Sequence, residues 1–181
     1  MNSSIEIEFK SFITEEKYNE LIKKYSRNVD ALIQINHYFD TKDSLFQQEK
    51  KVLRIRQKGE QYKLTKKSKG DGFNIENHVY LTPADAKNMI SNGFDANIID
   101  ENCFVYKVGS LKTYRHKFAY KSGYIFLDKS EYNGIVDYEV EFESSDEKIG
   151  KEDFLCFLVE NNIPFNKSYS KFKRCMETIK K

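Results

Sequence analysis

The placement of charge at every second residue of strand-like segments constrains this chain more than any other feature. Ile5-Glu6-Ile7-Glu8-Phe9-Lys10 alternates strictly, so a strand here puts Glu6, Glu8 and Lys10 on one face and three apolar side chains on the other. Leu53 and Ile55 alternate with Arg54 and Arg56, and Lys63, Thr65 and Lys67 share a phase. Thr113, Arg115 and Lys117 stand opposite Tyr114 and Phe118, and Asp137, Glu139, Glu141 and Glu143 alternate with Tyr138, Val140 and Phe142. One such strand is an ordinary antiparallel strand with a wet face. Here the pattern recurs, and the charges are sorted by strand: acidic near both ends of the chain, basic between. A merely solvated face would mix signs. If the sheet curls with its apolar face on helices, the charged face becomes a lining. Charges confined there must be paired, metal-bound or liganded to offset lost hydration.

Composition narrows the rest. The 181 residues suit a single domain spanning 1–181, with 39% hydrophobic and 32% charged residues. Gly 8 and Pro 2 exclude collagen-like and low-complexity classes. No apolar run approaches the roughly 20 residues of a membrane helix, and the N-terminus has no basic-then-apolar leader. Cys103, Cys156 and Cys175 form no CxxC pair and fit neither a disulfide framework nor a thiolate zinc site, which favours a cytoplasmic protein. A net charge of +2 gives no global case for nucleic acid or membrane as partner.

Periodicity predicts strands at 5–10, 33–40, 51–57, 61–67, 73–78, 102–108, 112–120, 124–129 and 135–143. Helices are predicted at 15–25 behind Thr14, from Thr82-Pro83 to about 91 before Gly93, at 151–161, and from about 169 to the end. That set is α+β and favours an eight-stranded antiparallel β-barrel, a tunnel with helices packed outside; a flat sheet with one helical layer is the other option. The Tyr and Phe residues are expected on the face opposite the charges. His37, His78 and His116 share no ligand spacing, and the basic tail reads as a solvated helix apart from Lys171.

Clustered carboxylates raise one another's pKa values or take up Mg²⁺ or Mn²⁺, while arrays of Arg and Lys bind phosphate oxygens. Both signs together suit a linear tri- or polyphosphate, with metal ions polarising the scissile phosphate and activating water. Glu6-Ile7-Glu8-Phe9-Lys10 then meets the ExExK signature of the CYTH superfamily, the triphosphate tunnel metalloenzymes, and the chain resembles its YjbK-like bacterial branch. The order of later blocks agrees: His37-Tyr38-Phe39-Asp40-Thr41, Leu53-Arg54-Ile55-Arg56, Leu64-Thr65-Lys66-Lys67, Arg115, Leu127-Asp128-Lys129, Tyr132, Asp137-Tyr138-Glu139-Val140-Glu141 and Ser170-Lys171.

The resemblance implies an eight-stranded tunnel and metal-dependent hydrolysis of inorganic triphosphate or a related short polyphosphate. Carried over, Glu6, Glu8, Glu139 and Glu141 would hold Mg²⁺ or Mn²⁺, with Glu76 and Asp128 as further acidic positions. Glu76 is equally an ion-pair partner. Glu6, Glu8 and Lys10 are the expected catalytic residues, and Lys10, Arg54, Arg56, Lys67, Arg115 and Lys171 the substrate-binding ones. Lys67 is preferred to Lys66 because it shares phase with Thr65. No histidine or cysteine is placed for a covalent phospho-enzyme. Adenylate cyclase chemistry of the class IV type and a non-catalytic polyphosphate- or nucleotide-binding module are the alternatives. The expected partner is a triphosphate-containing small molecule, and the scaffold suggests a homodimer.

Overall fold

A computed structural model describes residues 2–69 and 74–179, the side chains of 2–6, 69 and 74 excepted. Its strands are β1 (Asn2–Ile13), β2 (Leu32–Asp40), β3 (Val52–Lys58), β4 (Gln61–Lys69), β5 (Asn74–Leu81), β6 (Phe94–Asp95), β7 (Phe104–Tyr120), β8 (Gly123–Tyr132) and β9 (Ile135–Ser144). The helices are α1 (Glu15–Tyr25), α2 (Leu45–Gln48), α3 (Pro83–Asn92), α4 (Glu147–Glu160) and α5 (Lys171–Ile179), with a 3-10 turn at Ala96–Ile99. The hydrogen-bonded strand order is β2-β3-β4-β5-β1-β9-β8-β7-β6, and β2 also pairs with β7. The chain is thus a mostly antiparallel β-sheet with helices. The described strands number nine, the unexpected one being the two-residue β6.

Local chemistry sets the boundaries. Thr14 accepts from the Lys17 N–H and starts α1, whose acidic first turn and basic last turn both complement the helix dipole. Thr82 accepts from the Asp85 N–H with Pro83 in the first turn, and α3 ends at Gly93, where φ is +78°. Two expectations fail. The helix expected from 151 begins at Glu147, because Asp146 caps it through the Ile149 N–H ahead of the apolar stripe. The two strands expected at 102–108 and 112–120 are one 17-residue strand, β7. Gly109 marks a close approach there rather than a turn, since a Cβ would lie 2.8 Å from the Met176 methyl of α5. The expected strand start at Phe73 lies outside the described residues.

The fold divides into two compact units. The first comprises Met1–Ile5, Gln34–Lys112 and Lys171–Lys181. Its core joins Phe39, Leu53, Ile55 and Leu64 of the sheet to Ala86 and Met89 of α3, with Phe46, Phe94 and Ile99. The second comprises Glu6–Ile33 and Thr113–Ser170. There Ile125, Leu127, Val140 and Phe142 pack against Tyr18 and Leu21 of α1 and Phe154, Phe157 and Leu158 of α4. In both units the apolar strand residues packed under helices recur at every second position, leaving the alternate residues to the charged face.

One helix departs from the expected outside position. Phe172 of α5 packs edge-on against Tyr38, ring centroids 5.2 Å apart, and Tyr38 lies opposite Arg54 in the β2–β3 ladder. So α5 covers the charged face of β2, not the apolar one. Arg174, expected in a solvated tail, is accordingly buried, as are Phe172, Cys175 and Met176. Lys180 and Lys181 lie outside the described residues. The aromatic residues are also not confined to the apolar face: Tyr38, Tyr80 and Phe126 pair across the ladder with Arg54, Lys63 and Glu141.

Candidate functional site

In the first unit the ladder register assembles a cationic face. Arg56 stands between Asn36 and Lys63, Arg54 between Tyr38 and Thr65, and Lys67 opposite Glu76. Arg56 donates from Nε to Asn36 Oδ1 at 3.0 Å, which fixes the plane of its guanidinium. Arg54 Nη2 and Lys67 Nζ approach the same oxygen, Glu76 Oε1, at 3.4 and 3.7 Å. Both distances are long for such pairs, so the carboxylate balances the two cations without locking either. Burial pushes the Glu76 carboxyl up, but Arg54, Lys67, Arg56 and Lys63 outweigh it and hold it below its usual range. Lys66 points the other way, with its Nζ 2.9 Å from Glu101, which also pairs with Lys51 at 3.0 Å. The register therefore puts Lys67, not Lys66, on the face of Arg54.

The second unit concentrates acid. Glu141 faces Lys10 of β1 on one side and Phe126 of β8 on the other, and Glu139 faces Asp128. Asp128, Glu139 and Glu141 are all buried, and one ligand atom from each lies within 4.8 Å of the others. Arg115 grips Asp128 with two hydrogen bonds, Nε to Oδ1 at 2.8 Å and Nη2 to Oδ2 at 2.6 Å. The same Nη2 also donates to Glu141, and the guanidinium lies over the Phe126 ring at 4.4 Å. Ser168 donates its hydroxyl to Glu139 at 2.7 Å. Lys10 pairs with Glu8 at 2.6 Å.

One guanidinium does not balance three carboxylates. Burial works against the Arg115 charge, but Asp128 and Glu141 raise its pKa above the usual range. Glu141 is pushed up to about 7, first by burial, then against Arg115 by the repulsion of Asp128 and Glu8. The donor set is all oxygen, mostly anionic, and short of positive charge, which fits a hard divalent cation. Asp128, Glu139 and Glu141 are the residues that could hold it.

The structure thus brings together Glu139, Glu141 and Asp128 of the expected acidic set, with Glu8 beside them. The side chain of Glu6 lies outside the described residues. Glu76 belongs to the first unit, as an ion-pair partner of Arg54 and Lys67. Arg115 stands among the second unit's carboxylates, while Arg54, Arg56, Lys67 and Lys171 lie in the first unit. Sequence reasoning missed three contributors. Asn36 orients Arg56, Ser168 hydrogen-bonds Glu139, and Arg174 is buried on the side of α5 that covers Tyr38. Each is a polar residue whose role depends on cross-strand or long-range packing, and none lies in a charge-alternating stretch.

The CYTH domain model matches residues 4–176. YjbK of Bacillus subtilis (strain 168), named as a candidate triphosphatase, is 32% identical over 189 aligned residues, covering 100% of this chain and 99% of that protein. A crystal structure of a candidate adenylate cyclase from Bacillus halodurans is 29% identical, with a TM-score of 0.87 over 96% of this chain and 98% of that one. A Hippeastrum protein, named as a candidate adenylyl cyclase and described as having a dominant triphosphatase activity, is 21% identical. It shares the fold with a TM-score of 0.77 over 96% of this chain and 95% of that one.

Proposed function

This chain belongs to the CYTH domain family, and on that premise we propose that it is a metal-dependent triphosphatase acting on inorganic triphosphate or a related short polyphosphate. The reading extends to the eight-stranded tunnel that the family resemblance implies. One observation carries it: the buried Asp128–Glu139–Glu141 cluster has more negative charge than Arg115 neutralises. A pure anion receptor has no use for such a set. The names of the Bacillus subtilis and Hippeastrum relatives support the same activity.

Mg²⁺ or Mn²⁺ on Asp128, Glu139 and Glu141, with Glu8 adjoining, would polarise a phosphate oxygen and lower the pKa of the attacking water. The chain's own residues do the rest. Arg54, Arg56 and Lys67 neutralise and align phosphate oxygens, with Arg56 held in its plane by Asn36. Lys171 adds charge from the start of α5. Lys10 sits between Glu8 and Glu141, where it neutralises acid and reaches a phosphate oxygen when one is present. Arg115 holds Asp128 and Glu141 in fixed orientation, and would have donors for a phosphate oxygen if a cation held those carboxylates.

The test is ³¹P NMR of the purified protein with triphosphate, ATP and thiamine triphosphate, with and without Mg²⁺ or Mn²⁺, beside Glu139→Gln. Metal-dependent release of orthophosphate that disappears in the variant is the expected result. Cyclic nucleotide with pyrophosphate would replace this reading with the cyclase, the activity named for the Bacillus halodurans relative. Broadened substrate resonances without turnover would leave a binding module.

A further inference from the structure

Lys121 and Ser122 form a two-residue turn between β7 and β8, which sets Tyr120 opposite Gly123 and Arg115 opposite Asp128. The bidentate Arg115–Asp128 pair agrees with that register. Two residues further on, Thr113 stands opposite Ser130, and Ser130 stands opposite Asp137 of β9. Thr113, Ser130 and Asp137 therefore form one row across three strands, roughly 7 Å along the sheet from the row of Arg115, Asp128 and Glu139.

Thr113 and Ser130 are each 0% exposed, and neither hydroxyl oxygen has a hydrogen-bond partner among the described residues. Two adjacent buried hydroxyls in that condition mark a place for an ordered water or an ion. The row also carries a carboxylate: Asp137 accepts from the Tyr132 hydroxyl at 2.6 Å, which orients it. This face of β7, β8 and β9 carries Asp128, Asp137, Glu139, Glu141 and Glu143 against Arg115 and Lys117, so acid is in excess and a neutral water would leave that excess untouched. One carboxylate with two neutral hydroxyls offers too little charge for a divalent ion, for which the three-carboxylate cluster is the better site.

We propose that Thr113, Ser130 and Asp137 form a binding site for an alkali cation of the Na⁺ or K⁺ type, separate from the Asp128–Glu139–Glu141 cluster. The site lies wholly in the second unit and does not depend on turnover. Bound to the native state alone, the ion stabilises the fold by mass action.

The experiment follows the thermal midpoint of the full chain in EDTA at fixed ionic strength, replacing tetramethylammonium chloride stepwise by NaCl or KCl. A saturable rise of roughly 4 °C is expected, larger with one alkali cation than the other. Thr113→Val with Ser130→Ala flattens it, while any general salt effect persists in the variant. Equal midpoints in all three salts would overturn the proposal in favour of a buried water. A cation-specific rise that survives in the variant would overturn it too. If the double variant does not fold, Rb⁺ anomalous scattering from crystals of the unaltered protein decides: a peak between Thr113 and Ser130 is required, and its absence rejects the site.

Discussion

The two units use the same sheet geometry and invert each other's electrostatics. In the first, a lone acid, Glu76, sits among Arg54, Lys67, Arg56 and Lys63 and stays ionised. In the second, Arg115 sits among Asp128, Glu141 and Glu143, with Lys10 opposite Glu141, and one of these acids is driven towards the neutral form. Burial explains the asymmetry. Arg54 and Lys67 keep about a fifth of their side chains exposed, whereas Asp128 has none exposed and Glu141 5%. Long, flexible cations retain water at their tips; short carboxylates drawn under a sheet do not. On the proposed function, the cationic face would exchange Glu76 for phosphate, and a cation would balance the acidic cluster.

Arg115→Met should give the largest change. It removes the guanidinium that holds Asp128 and Glu141 and should cost about 3–5 kcal/mol of stability in EDTA, read by denaturant unfolding. Added Mg²⁺ or Mn²⁺ should return part of it. A loss under ~1 kcal/mol would mean that the second unit does not depend on Arg115.

Arg54→Ala should weaken binding of triphosphate by roughly 10- to 100-fold, the worth of one or two charge-assisted hydrogen bonds, with little effect on folding. Calorimetry in the absence of metal checks it. Unchanged affinity would detach the cationic face from phosphate altogether.

The pH dependence should run in opposite directions in the two units. Glu141 has a folded pKa near 7, above the ordinary 4.5, so the native state binds the extra proton between those values. Its contribution is fully present below about 4.5 and is lost as pH rises through about 7. Glu76 is shifted down, so its contribution is present above about 4.5 and is lost as pH falls below that. Unfolding of metal-free Glu141→Gln across pH 5–8 should lose the first slope. In the unaltered protein, metal uptake near pH 7 should release protons, detected by calorimetry in two buffers of different ionisation enthalpy.

Glu76→Gln should be the mildest. Its pairs are long and partly exposed, so the loss should stay at or below about 1 kcal/mol. Removing a carboxylate that pairs with both Arg54 and Lys67 should tighten triphosphate binding by a few-fold. Weaker binding would show that Glu76 positions the cations rather than competing with the substrate.

Much of this was legible in the alternation itself. Period two in 53–56 and 137–143 gave both the apolar faces that pack under helices and the charged faces opposite, because side chains in a strand alternate without exception. Caps were legible where they are local: Thr14, and Thr82 with Pro83, act on N–H groups three residues away. Asp146 has the same chemistry, yet the polar first turn of α4 gave no apolar stripe to follow. The break expected between 108 and 112 has no counterpart, because Gly109 lies within one strand under a packed methyl group of α5.

The sequence by itself determined which residues carry charge, their phase along each strand, and the family to which they belong. Only tertiary structure decided how those charges are matched. It placed Glu76 with the cations, drew Asp128 to Glu139 and Glu141, turned Lys66 away to Glu101, and laid α5 over Tyr38. Phase is a property of consecutive residues, fixed by backbone geometry. Pairing and burial depend on residues far apart in the chain, such as Arg115 with Glu141 and Ser168 with Glu139, which only strand register and packing bring within reach.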